Sequence, residues 1–80
     1  ANELLDIDGV KASFMLTQVK DTVYISARSI DEVNVQVIME RLGGGGHATV
    51  AGAQLHDCTV EEGKKQLQEL LEKMTVEGDI

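Results

Sequence analysis

Two stretches near the start of the chain alternate apolar and polar residues with a period of two. Within residues 11–20, Ala12, Phe14 and Leu16 point one way, and Ser13, Met15, Thr17 and Val19 point the other. Within residues 22–28, Val23, Ile25 and Ala27 form one face, and Thr22, Tyr24, Ser26 and Arg28 form the other. This is the pattern of strands buried on one side. Only Lys20 and Asp21 separate the two runs, a spacing that suits a tight hairpin.

From residue 35 the period changes. Val35, Ile38, Met39 and Leu42 fall at i, i+3, i+4 and i+7, the stripe of an amphipathic helix. Asn34 is suited to cap it, and Ser29 with Glu32 offers a start one turn earlier. Gly43 supplies a left-handed stop. After the glycine run, Ala48 to Gly52 is small enough for one helical turn, and residues 53–57 read as a third strand. Thr59 with Glu62 forms a capping box ahead of Val60, Leu67, Leu70, Leu71 and Met74. A final helix over about 60–74 is expected, with Gly63 as its weak point. Residues 1–8 are acidic around Leu4, Leu5 and Ile7, which suits a short helix or docking turn ended by Gly9. The expected architecture is α/β: a small mixed sheet with a β-hairpin, two main helices and a glycine-rich loop, the sheet covered on one side or both.

The chain has 80 residues, enough for one domain with one modest core. Phe14 and Tyr24 are its only aromatics, so that core is aliphatic. The net charge of −7 argues against a long nucleic-acid duplex as partner, since such binding relies on many Lys and Arg contacts. A small anionic ligand in a local pocket stays compatible. The single Cys58 excludes an internal disulfide and a cysteine zinc site. A reducing cytoplasm is expected. The chain begins with Ala1 and shows no signal-peptide pattern, so a piece of a longer protein is expected, with no membrane contact of its own.

Candidate chemistry concentrates in Gly43-Gly44-Gly45-Gly46-His47. Four consecutive glycines cost entropy on folding, a cost tolerated where backbone turns sharply or approaches something closely. Without Cβ atoms their N–H groups can converge on an anion, and a following helix start would add donors. His47 sets an imidazole beside them that can donate to a phosphate oxygen. The blander alternative is a helix-ending loop with a solvated histidine. The dinucleotide and P-loop fingerprints do not fit: no Lys follows the run, and a helix precedes it. Arg28, at a strand end, can grip phosphate with two parallel hydrogen bonds, or simply pair with Asp31 or Glu32. His56 and Asp57 make an HD pair, too few ligands for a metal, and His56 reads as a half-buried or surface histidine. Cys58 reads as a small filler. Glu61, Glu62, Glu69 and Glu72 read as a solvated helix face.

As a unit, Ile25 to Ala53 resembles the DHH-associated C-terminal domain, first DHHA subtype. The hallmark of that family is Gly-Gly-Gly-His, two variable residues, then a small-small-Gly triplet. Here it reads Gly44, Gly45, Gly46, His47, Ala48, Thr49, Val50, Ala51, Gly52. Val50 departs from the usual alanine. The resemblance extends from about residue 10 to 75. Within the family the chain resembles in particular the membrane-anchored bacterial phosphodiesterases that hydrolyse cyclic di-AMP to the linear dinucleotide. Other members act on oligonucleotides, single-stranded DNA or mischarged tRNA, and a non-catalytic nucleotide-sensing module is a further alternative. The resemblance implies a separate lobe with an Asp-His-His motif and two manganese ions that activate a water for attack on phosphorus. It implies that Arg28, Ser29, His47 and the bare backbone of Gly44, Gly45 and Gly46 bind the phosphate of a cyclic dinucleotide or short oligonucleotide. No catalytic residue and no metal ligand is then expected in this chain, which alone should be inactive. The intact protein would be cytoplasmic at this domain, and anchored in the bacterial membrane elsewhere.

Overall fold

A computed structural model of the chain describes residues 2–5 (backbone only), 11–30 and 33–78. Five strands run β1 (Asn2–Leu5), β2 (Ala12–Val19), β3 (Thr22–Ser29), β4 (Gly45–Gly46) and β5 (Val50–His56). The helices are α1 (Val35–Arg41) and α2 (Val60–Glu77). The strands form one sheet in the order β1-β2-β3-β5-β4. The expected hairpin, helices and glycine loop are all present, and every pairing in the sheet is antiparallel.

The hairpin closes on Lys20 and Asp21, with Val19 opposite Thr22 and Lys20 in the left-handed region at φ 55°. Asn34 caps α1 by accepting from the amides of Gln36 and Val37. The earlier start is not taken, because Ser29 ends β3; Glu32 lies outside the described residues. Gly43, at φ 86°, follows the last helical turn. Its amide donates to the Glu40 carbonyl and that of Gly44 to the Met39 carbonyl, the paired bonds of a Schellman stop. The capping box of α2 forms in both directions: the Glu62 amide donates to Thr59 Oγ1 at 3.2 Å, and the Thr59 amide to Glu62 Oε1 at 3.1 Å.

Two expectations are corrected. Residues 2–5 are a strand, not a helix or docking turn, and they pair with the free edge of β2 from Phe14 to Thr17. The adjacent Leu4 and Leu5 hide any period-two signal in so short a run. Ile7 and Gly9 lie outside the described residues. The expected helical turn at 48–52 does not form either; β5 begins at Val50 and the chain folds back from β4 as a narrow hairpin. Ala51 and Ala53 face the core while Gly52 lets the neighbouring strand approach, an arrangement that suits a strand and not a turn of helix.

The buried apolar side chains of the described residues form one core. Ala12, Phe14, Leu16, Val23, Ile25, Ala27, Ala51 and Ala53 line one face of the sheet. Val35, Ile38 and Met39 from α1 and Val60, Leu67, Leu71 and Met74 from α2 pack onto that face. Burying each large side chain contributes roughly 1.5–3 kcal/mol. Gly63, the expected weak point, lies buried where α2 presses on Val23 and Leu55. Both helices therefore occupy one side. The opposite face, carrying Met15, Tyr24, Ser26, Arg28, Val50 and Gln54, is open.

Candidate functional site

The open face has an unusual charge distribution. The chain carries 14 acidic residues, yet β2, β3, β5 and the whole stretch from Gly43 to His56 contain none. Among the described residues, the acids are Glu3 on β1, Asp21 and Asp57 in turns, and the remainder on α1 and α2. The one Arg on these strands is Arg28. Among the described residues, an anion approaching the open face therefore meets neutral groups and Arg28, despite the acidic whole.

Antiparallel register decides which residues share a row. Arg28 lies opposite Val50, and Ser26 opposite Gly52, which in turn lies opposite Gly45. The His47 amide donates to the Val50 carbonyl at 2.7 Å. Val50 thus has Arg28 on one side and His47 on the other. Two strand spacings separate their backbones by about 10 Å, a gap that an anion and two side chains can fill. Arg28 and His47 are both exposed, and neither makes a side-chain hydrogen bond or ion pair with the described residues. Ser29 is half-buried and its amide donates to the Thr49 carbonyl at 2.9 Å, which ties the end of β3 to the loop.

The glycines divide by what a Cβ would meet. At Gly44 it would fall 2.0 Å from the Gly52 carbonyl oxygen, and at Gly46 2.5 Å from the Ala51 Cα. Gly46 also holds φ at 144°. Those two are bare because the loop presses against β5. At Gly45 a Cβ would meet nothing within 4 Å. The loop does not form the convergent amide nest anticipated from sequence. The amides of Gly43 and Gly44 close α1, that of His47 pairs with Val50, and no helix follows. The amides of Gly43, Gly44 and His47 are therefore engaged within the fold and not available to an anion.

A groove of about 630 Å³ runs along the same face, lined by Tyr24, Ser26, Gly43, Gly44, Gly52 and Gln54 among others. Of the glycine run and the residues singled out with it, Gly43 and Gly44 line it; Arg28, Ser29, Gly45, Gly46 and His47 lie beyond its lining. His56 reaches the opposite end, with its Nδ1 3.4 Å from Thr22 Oγ1. Tyr24 and Gln54 were not picked out by the sequence reasoning. The available signal was an aromatic on the polar face of β3. Among the described residues no three His, Cys, Asp or Glu side chains gather as metal ligands, so these residues do not fit the metal centre the resemblance implies. No described helix is long and apolar enough to cross a membrane.

This sheet, with an acid-free face and a Gly-Gly-Gly-His loop at its edge, belongs to the DHHA1 domain family, whose profile matches residues 1–77. Among known proteins, the chain is 60% identical over 72 residues to the cyclic-di-AMP phosphodiesterase GdpP of Geobacillus thermodenitrificans, covering 89% of this chain and 11% of that protein. It is 53% identical over 68 residues to the cyclic-di-AMP phosphodiesterase PdeA of Listeria monocytogenes, covering 84% of this chain and 10% of that one. It is 46% identical over 74 residues to GdpP of Bacillus subtilis, covering 91% and 11%. The chain thus spans about a tenth of the length of the curated relatives it matches.

Proposed function

We propose that this domain holds the phosphodiester of cyclic di-AMP for hydrolysis by a DHH-type catalytic lobe of the same intact protein. The observation that carries the reading is the row Arg28, Val50, His47 on the acid-free face, beside a Gly45 that the fold does not require to be bare. The names of the relatives support the substrate class. Arg28 grips phosphoryl oxygens with its guanidinium fork, and His47 donates a second hydrogen bond. Both stabilise charge that grows on those oxygens as water attacks phosphorus. Ser29 steadies the strand end and supplies a weaker polar contact. Gly45 gives the ligand room to lie against backbone. Activation of the water belongs to the other lobe, where the metal ions, manganese by resemblance, would sit. The domain lies in the cytoplasm, and any membrane anchor is elsewhere in the intact protein.

The test is Arg28→Ala and His47→Ala in the intact protein, assayed for release of linear dinucleotide. Loss of one charge-assisted contact costs roughly 1.5–3 kcal/mol, or about 10- to 150-fold in kcat/KM. Near-normal turnover in both variants rejects the phosphate role. Binding of cyclic di-AMP without any turnover by the unaltered protein would instead indicate a nucleotide-sensing module.

A further inference from the structure

The phosphate row leaves a groove of the open face unused. Tyr24 and Gln54 stand directly opposite one another across β3 and β5. Such pairs hold their Cβ atoms about 4.5–5.5 Å apart. Tyr24 is 42% exposed, one of only two aromatics in the chain and the one outside the core. Gly43, Gly44 and Gly52 contribute bare backbone to the wall beside it, and Ser26, Leu42, Gln54 and His56 also line the groove. The groove volume, about 630 Å³, lies within the range of small-ligand sites.

We infer that this groove is a nucleobase subsite, in which Tyr24 stacks on a purine and Gln54 reads its edge. The inference rests on the phosphate reading of the row beside it and adds the part of the ligand that row cannot recognise. An exposed ring at the edge of a slot is the usual platform for a base. A Gln amide presents one donor and one acceptor, which match N7 and the N6 amino group of adenine. Spacing agrees with one continuous ligand. Rows on the same face of a strand recur about every 6.6 Å, so Tyr24 lies about 13 Å from Arg28, with the Ser26–Gly52 row between them. The Arg28 side chain is long enough to close that gap to the span of a nucleotide from base to phosphate. In the row between them Gly52 has no side chain and Ser26 has only a small polar one.

The experiment compares two substrates of the intact protein: cyclic di-AMP, and bis(p-nitrophenyl) phosphate as a diester without a base. Tyr24→Ala should lower the ratio of kcat/KM for the dinucleotide to that for the base-free diester by at least about fivefold. Tyr24→Phe should keep the ratio, because the ring is retained. Gln54→Ala should narrow the preference for cyclic di-AMP over cyclic di-GMP by at least about fivefold. An unchanged ratio in Tyr24→Ala overturns the subsite. So does an equal fall for both substrates, the outcome if the groove instead seats another part of the protein. Failure of the phosphate reading shows elsewhere: Arg28→Ala then leaves hydrolysis of the base-free diester intact, whatever Tyr24 does. Should the intact protein turn over neither substrate, ligand-observed NMR with adenosine, which carries no phosphate, decides. Saturation transfer to the adenine protons that disappears in Tyr24→Ala supports the groove, and equal transfer in both proteins rejects it.

Discussion

Gly45 and Gly52 stand opposite one another across β4 and β5, yet only Gly52 is held bare by the fold. A Cβ on Gly52 would lie 2.9 Å from the Ile25 carbonyl oxygen, whereas one on Gly45 would point into open space. Structure explains the missing side chain at one position and leaves it unexplained at the other. A ligand lying against Gly45 explains the second. Gly45→Ala should therefore melt within a few degrees of the parent, because removing glycine where φ permits also lowers the entropy of the unfolded chain. Its substrate affinity should fall on the order of tenfold, equivalent to about 1.4 kcal/mol. Gly44→Ala should lose about 1–3 kcal/mol or more of stability through collision with β5. Thermal melts and substrate titrations of both variants check this. Normal affinity in Gly45→Ala would remove the ligand from that position.

Arg28 separates charge from shape. It is exposed and has no ion pair with the described residues, so Arg28→Ala should change stability by no more than about 0.5 kcal/mol. Arg28→Lys retains the charge and loses the fork, and should fall between the parent and Arg28→Ala in kcat/KM. Parallel melting curves and kinetics measure it. Full activity in the Lys variant would mean that a point charge suffices there.

What the sequence displayed, and what it hid, follows from periodicity. β2, β3, α1 and α2 each bury one face over several repeats, and Phe14, Ile25, Ile38 and Leu67 all landed where the pattern put them. β1 and β4 are too short to repeat. The start of β5 is a run of small residues whose role appears only when the loop is laid on it. Arg28 and His47 were legible through residue type and motif, and register brought them to one row. Tyr24 and Gln54 were not, because a polar strand face looks alike whether it is merely solvated or lines a groove.

Phe14 tests how far one aliphatic core depends on its largest member. It is fully buried in the single core. Phe14→Ala should cost about 3–5 kcal/mol. A domain of this size holds only about 4–12 kcal/mol at 0.05–0.15 kcal/mol per residue. The variant should be partly or wholly unfolded at 37 °C, as circular dichroism would show. Retention of a sharp, high-temperature melt would mean that the cavity collapses more completely than the packing implies.

Cys58 provides a pH-dependent check on the base of α2. Burial pushes its thiol pKa above the ordinary range, and the nearby Glu62 charge adds to the rise. Its Sγ donates to the Thr59 carbonyl at 3.3 Å and accepts from Gln66 Nε2 at 3.9 Å. The folded state therefore binds the thiol proton more tightly than the unfolded state does. The resulting stabilisation is complete below the unfolded thiol pKa of about 8.5 and is lost as pH rises through the higher folded value. The stability advantage of the parent over Cys58→Ala should be flat through neutral pH and shrink on the alkaline side, as urea titrations at several pH values would measure. Alkylation by iodoacetamide at neutral pH should be slow in the folded chain and fast in urea, since the thiolate is the nucleophile. An advantage that shrinks toward acid pH, or rapid labelling of the folded protein, would place the thiol in the opposite environment from the one drawn here.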